Sequence, residues 1–240
     1  MSYKDKKGIA RLLDRYKPFR SLSRLVQPCI PSCTVTYIPL GPNFGRKWCA
    51  GESNLSASLG IYEWGQVRRF SKLVHPDSIV YDIGANLGYY TLVASRGMRV
   101  YAIEPNPANL VILGKVLMLN HIGNALIIDK AVSDLNAVAY LYPATVSPFS
   151  QLDMAGESGS KVEVVTVDSL GLVPPTLVKI DVEGHEDRVL AGMKRTLEEA
   201  RPVVFLSAHR YNYFPEALKL FPDGYRVEKL DKLTWIVFPQ

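Results

Sequence analysis

Three acids and two glycines stand in this sequence at spacings suited to holding a small charged ligand. Asp82 ends the apolar run Ser78-Ile79-Val80-Tyr81, and Gly84, Asn86 and Gly88 follow it at every second position. Glycines there let the backbone bend sharply or pass close to a ligand. The helix expected from Leu87 to about Gly97 aims its N-terminal amides at the same place. An acid beside such amides suits an ammonium together with a carboxylate, which is an amino-acid head group. Glu104 closes the next apolar run, Met98 to Ile103. It falls about twenty residues on, where a doubly wound fold puts the carboxylate for ribose hydroxyls. An amino acid and a ribose in one ligand describe S-adenosylmethionine. Asp129, closing the third run Ala125 to Ile128, and Ala131 just beyond it are then expected to border the adenine.

Other ligands fit less well. The order Asp-x-Gly-x-x-x-Gly has Asn86 where the dinucleotide fingerprint wants a glycine, and no phosphate-binding Lys follows, which disfavours a pyrophosphate. A glycine-containing turn with no ligand would explain Gly84 and Gly88 alone; Glu104 at its distance argues against that.

A second group could move protons. Leu177-Val178-Lys179-Ile180 ends in Asp181, with Glu183 two places on, and His209 falls at the end of the run Pro202 to Ala208. Asp181 and His209 are candidates to take the proton from an attacking hydroxyl, and Asp181 is expected to face the cofactor as well. Asp181 and Glu183 alone give thin support for a divalent metal, so none is assigned. Glu186 and Asp187 suit the first turn of a helix, whose dipole favours negative charge, and Glu63 could face the cofactor but reads first as an exposed helix acid.

These residues need a frame that brings strand ends to one rim. Apolar runs at 79–83, 98–103, 125–128, 177–180 and 202–208 alternate with helical patterns near 61–74, 87–97, 107–120 and 187–201. The alternation predicts an α/β fold with a doubly wound, mostly parallel seven-stranded sheet. The tail, Tyr225 to Leu230 and Leu233 to Phe238, predicts a closing hairpin with an antiparallel last strand. Residues 137–142 and 161–167 are strand-like and flank a long Pro/Ser/Gly/Ala-rich loop, read as a cover over the cleft.

Composition narrows the class. With 240 residues and 48% hydrophobic composition, the chain can bury one substantial core. Residues 1–50 carry ten Lys or Arg against Asp5 and Asp14, so the +5 net charge is concentrated at the front. We expect two parts: a basic extension or lid over 1–55, with amphipathic helices over 8–26 and a strand at 34–38 partnered by 46–49, then a ligand-binding domain over 56–240. Cys29, Cys33 and Cys49 match no zinc spacing and read as reduced thiols. The charged start is no signal peptide, and no run approaches a membrane span of ~20 residues. A cytoplasmic location is the expectation.

Taken together, the chain resembles the FkbM family of S-adenosylmethionine-dependent methyltransferases. The likeness rests on Val80-Tyr81-Asp82-Ile83-Gly84-Ala85-Asn86-Leu87-Gly88, Glu104-Pro105-Asn106-Pro107, Thr166-Val167-Asp168-Ser169-Leu170, and Val178 to Glu186 with Leu190-Ala191-Gly192, over about residues 60 to 210. It implies a class I methyltransferase fold and O-methylation of a sugar, glycan or natural-product-like acceptor. Ser207 stands where the family pattern usually has Glu, two places before His209. Two other readings are an RNA methyltransferase recruited by the basic front, which lacks an interleaved aromatic and basic stripe, and a cofactor-binding scaffold without catalysis.

Overall fold

The computed structural model describes residues 26–32, 34–141, 152–153, 159–208 and 214–240. At the front, β1 (Val35–Tyr37) and β2 (Lys47–Cys49) pair antiparallel, and α1 (Leu55–Ser58) and α2 (Trp64–Ser71) follow. The chain then alternates through β3 (Ile79–Ile83), α3 (Tyr89–Ala94), β4 (Arg99–Ile103), α4 (Pro107–Leu119) and β5 (Ala125–Ile128). Next come β6 (Lys130–Val132), β7 (Ala137–Leu141), β8 (Leu152–Asp153) and β9 (Ser160–Val165). Last are β10 (Leu177–Ile180), α5 (Glu186–Ala191), α6 (Lys194–Glu199), β11 (Val203–Ser207), α7 (Phe214–Leu218), β12 (Tyr225–Lys229) and β13 (Thr234–Pro239).

Seven strands form the main sheet in the order β12-β13-β11-β10-β3-β4-β5. Strands β11, β10, β3, β4 and β5 run parallel, and β13 is antiparallel to both neighbours, as the sequence predicts. The parallel strands are apolar on both faces because helices cover both. One face buries Tyr81, Ile83, Tyr101, Ile103, Val178 and Ile180 against Val189, Leu190, Met193 and Leu197 of the α5–α6 region. The other buries Val80, Val100, Leu177 and Phe205 under Phe70, Leu92 and Val93. Ile38, Trp48 and Cys49 join this second cluster, so residues 34–50 share a core with the main sheet.

A second sheet, β6-β9-β7-β8, grows from the point where the chain leaves β5 at Asp129. It accounts for the strand-like segments at 137–142 and 161–167, whose partnership the sequence left open. Of the loop between them, residues 142–151 and 154–158 lie outside the described residues, as do the amphipathic segment and basic arm of residues 1–25.

The helix expected near 187–201 is two helices. Between them Gly192 packs so closely on the second sheet's connection that a Cβ there would lie 2.0 Å from the Ser133 carbonyl oxygen. The chain bends to permit that contact, and its amide donates to the carbonyls of Arg188 and Val189. Gly192→Ala is therefore expected to cost about 2 kcal/mol, the range for overpacking against rigid backbone. Urea denaturation checks this; an unchanged midpoint would show that the 131–134 connection yields freely.

Candidate active site

The carboxyl ends of β3, β4 and β10 are level, because Ile83 is registered with both Ile103 and Ile180. Gly84, Glu104 and Asp181 therefore leave the sheet along one rim, where a cavity of about 670 Å³ opens. All three line it, with Asn86, Asn106, Asn109 and Ala131 toward β4 and Tyr62, Tyr90, Lys179 and Glu183 toward β10. Trp48, Ser53, Asn54 and Ala57 contribute a wall from the front of the chain.

Glu104 is held by three donors. Its Oε1 accepts from the Asn106 amide at 2.9 Å and Asn109 Nδ2 at 3.1 Å, and its Oε2 accepts from the Asn86 amide at 2.9 Å. Asn86 takes the left-handed region (φ 50°) to turn that amide toward the carboxylate, a conformation Asn tolerates. Burial pushes the Glu104 carboxyl above its ordinary pKa, and the three donors partly offset this. A carboxylate has about four lone-pair directions, so this rim acid, 5% exposed, keeps capacity for a ligand hydroxyl.

The turn itself differs from the sequence-based expectation. The amides of Gly84 and Ala85 both donate to the Ile103 carbonyl, Leu87 donates to Asn86 Oδ1, and Gly88 donates to the Ala85 carbonyl. These amides hold the turn together and are not left over for a ligand carboxylate. Gly84 (φ 78°) is required by close approach, since a Cβ would lie 1.9 Å from the Asp181 carbonyl oxygen. Gly88 (φ 91°) does not line the cavity; a Cβ there would meet Leu113 of α4 at 2.6 Å, so it serves packing.

Asp82 does not stand at the ligand-facing position the sequence predicts for it. It is fully buried, does not line the cavity and so does not present its carboxylate to a ligand there. Parallel register sets Asp82 beside Lys179 on adjacent strands, with the same side-chain direction. Lys179 Nζ lies 3.2 Å from Asp82 Oδ1, 3.4 Å from Asp181 Oδ2 and 2.8 Å from the Gly84 carbonyl it donates to. Thr91 Oγ1 donates to Asp82 Oδ2 at 2.6 Å. Desolvation would lower the Lys179 pKa, but Asp82, Asp181 and Glu63 outweigh it and hold it above the ordinary lysine value.

Glu63 is not an exposed helix acid. It enters α2 with φ 41° and its carboxylate makes no cap bond; instead it accepts from the Tyr90 hydroxyl at 2.7 Å. Burial and then Asp181 raise its pKa. Asp129 is exposed and outside the cavity lining, because the chain passes there from one sheet to the other; Lys130, Ala131 and Val132 line it instead. His209 lies outside the described residues. His185, opening α5, lines the cavity.

The profile of the Methyltransferase FkbM domain matches residues 82–229. The chain belongs to the FkbM methyltransferase family. It is 27% identical over 150 residues to the hexuronic acid methyltransferase AglP of Haloferax volcanii, a match over 58% of this chain and 59% of that one. The chain thus spans well under two thirds of that relative's length. Among solved structures it is similar to the FkbM methyltransferase of Methylobacillus flagellatus KT (TM-score 0.50, 20% identity, 78% of this chain and 55% of that one). It is also similar in fold to the putative methyltransferase YhhF of Escherichia coli (TM-score 0.53, 16% identity, 86% and 98%). S-adenosylmethionine, expected from Glu104 and its neighbours, is the cofactor of this methyltransferase family.

For this FkbM chain the sequence reading missed Lys179, Tyr62 and Tyr90, and it preferred the exposed-acid reading of Glu63 to one facing the cofactor. A lysine inside Leu177-Val178-Lys179-Ile180 was a usable signal, since a buried ammonium must find carboxylates. The tyrosines carried none, because contacts across two helices and a strand decide them. Lys179→Met is expected to cost about 3–5 kcal/mol, the usual result of leaving a buried charge unpaired, here Asp82. The double variant with Asp82→Asn should recover a good part of this. Additive losses in a denaturation double-mutant cycle would contradict the pairing.

Proposed function

We propose that this chain transfers the methyl group of S-adenosylmethionine to a hydroxyl of a sugar acceptor, with hexuronic acids the first class to test. The observation that carries the reading is that Glu104 and Asp181, on strands either side of β3, line one cavity at the carboxyl rim. The named activity of the similar AglP protein supports the acceptor class.

When bound, the cofactor supplies an electrophilic methyl group on a sulfonium. The chain's own task is to hold an acceptor oxygen in line with it at near-attack distance. Glu104, fixed by Asn86, Asn106 and Asn109, receives the ribose hydroxyls. Ala131 and Val132 give an apolar border for adenine. The Gly84–Asn86 turn flanks the amino-acid end, with Lys179 behind it providing the cation on which that turn's carbonyl rests. Asp181 accepts the proton of the attacking hydroxyl as the new bond forms. Trp48, Asn54 and Tyr62 wall the acceptor side, an aromatic and amide surface that suits a sugar's apolar faces and hydroxyls. His209 is kept in this reading as a second proton acceptor, and residues 1–55 as the part that closes the acceptor side.

Asp181→Asn is expected to lower turnover by about a hundredfold or more while changing cofactor affinity far less. Labelled S-adenosylmethionine with hexuronic acids, neutral hexoses, phenols and RNA measures this. Unchanged turnover would remove Asp181 from its role, and labelling of RNA alone would move the acceptor class. Glu104→Ala should weaken the cofactor and its demethylated product alike, by about tenfold or more, since both carry the ribose.

A further inference from the structure

Two carboxylates pair with one ammonium at the Asp181 end of the cavity, and a third, Glu63, outside the lining itself, accepts from the lining residue Tyr90 and acts on the same ammonium electrostatically. Lys179 Nζ is paired with Asp82 at 3.2 Å and with Asp181 at 3.4 Å. It also lies 5.0 Å from the centre of the Tyr90 ring, whose hydroxyl donates to Glu63 at 2.7 Å. With all three acids ionised, the cluster carries more negative than positive charge, and the burial of Lys179 and Asp82 weakens its screening. Glu63 reaches the cluster through a backbone conformation unusual for a non-glycine residue, φ 41°, and without serving its helix as a cap. Such strain persists where the surroundings impose it, commonly at functional sites.

Glu63 faces Tyr62 from its own segment, Tyr90 from α3, and Lys179 and Asp181 from β10 and its end. Glu183 acts on Tyr62 from the following loop. Burial and then Glu63 raise the pKa of both phenols, so they remain donors. Burial, then Asp181, raise that of Glu63, against the opposing pull of Tyr90, Lys179 and Tyr62. A further cation in the cavity would favour loss of the Glu63 proton, and a neutral molecule of the same shape would not.

The methyl donor and the spent product differ in this respect: a cationic sulfonium becomes a neutral thioether. We propose that Glu63 makes the site charge-selective, releasing a proton to solvent when S-adenosylmethionine binds and keeping it when S-adenosylhomocysteine binds. This rests on the cofactor reading above, with the ribose at Glu104 and the sulfur end toward Asp181. Product formation then removes the charge that held Glu63 ionised, and its reprotonation favours exchange of the spent nucleoside for fresh donor. The α-amino group and Glu104 meet both ligands equally, so their titration cancels in the comparison.

Because the Glu63 pKa is raised, it holds a proton over a wider range at the acid end, and the preference for the sulfonium should grow as pH rises through its titration. Titration calorimetry of the whole chain with each ligand, in two buffers of different ionisation enthalpy from about pH 5 to 8, counts the protons. Wild-type protein is expected to release up to one more proton with S-adenosylmethionine than with S-adenosylhomocysteine, the affinity ratio rising by up to about tenfold per pH unit. Glu63→Gln should abolish the difference and flatten the ratio, while retained binding of S-adenosylhomocysteine shows that the variant is folded. Tyr90→Phe keeps the ring over Lys179 but removes a donor that lowers the Glu63 pKa, so it should move the profile to higher pH. Equal proton counts for the two ligands in wild type, or an unaltered profile in both variants, would overturn the proposal and leave the cofactor reading intact. Failure of wild type to bind either ligand would overturn that reading and the proposal with it.

Discussion

A lysine ammonium buried between carboxylates is the constraint on which the site depends. Lys179, with its side chain 3% exposed, cannot be hydrated, so its donors must be met by protein. Asp82 on β3, Asp181 after β10 and the Gly84 carbonyl meet them. Thr91 adds α3 to the same network by donating to Asp82. One charge therefore ties the central strand, its turn, the following helix and the end of β10. A buried ion pair adds little net stability compared with an apolar pair, but it fixes position, because any slip in register strands a charge in the core. Here the position fixed is that of Asp181 against Gly84, where the backbones touch so closely that only glycine fits.

The front of the chain completes the site. Asn120 at the end of α4 bonds both backbone groups of Lys47, accepting at 2.9 Å and donating at 2.8 Å, and Asn43 donates to the Tyr89 carbonyl at 2.9 Å. Trp48 meets the Tyr89 ring edge-on with centroids 5.3 Å apart. These contacts hold β1 and β2 against the helices flanking the cofactor turn. The wall of Trp48, Ser53 and Asn54 is thus set by the same elements that set the nucleoside rim. Arg69 forms a two-pronged pair with Glu228, and Gln66 donates to Asp231, so α2, which Glu63 immediately precedes, is anchored to the hairpin of β12 and β13 as well.

The two ends of the cavity have different chemical character. At the Glu104 end the polar groups are amides and a carboxylate that already satisfy one another, a rigid receptor for hydroxyls. At the Asp181 end, acids outnumber the lysine they surround, and phenols whose pKa is raised by burial line the cavity beside them. Shape and hydrogen bonding serve recognition at the first end, and charge balance serves it at the second.

The mostly parallel sheet and its closing antiparallel strand were legible in the chain because apolar runs of strand length, alternating with helical periodicity, have few ways to bury both faces of a sheet. Glu104, Asp181, Gly84, Asn86 and Ala131 were legible as rim positions for the same reason: each follows a strand end. Whether a rim residue faces the cavity was not legible. Asp82 is the last but one residue of β3, and strand register turned it to Lys179 in the core; Asp129 fell at a crossing between two sheets and pointed outward. Glu63, Tyr62 and Tyr90 needed the packing of α2 on α3, which joins residues far apart in sequence, and the second sheet needed a parallel pairing of β6 with β9 across a long connection. Local pattern determines which elements form and where they end, since that depends on neighbours in the chain. The direction of a buried charge depends on which partner tertiary packing brings within reach, and only the folded structure decides that.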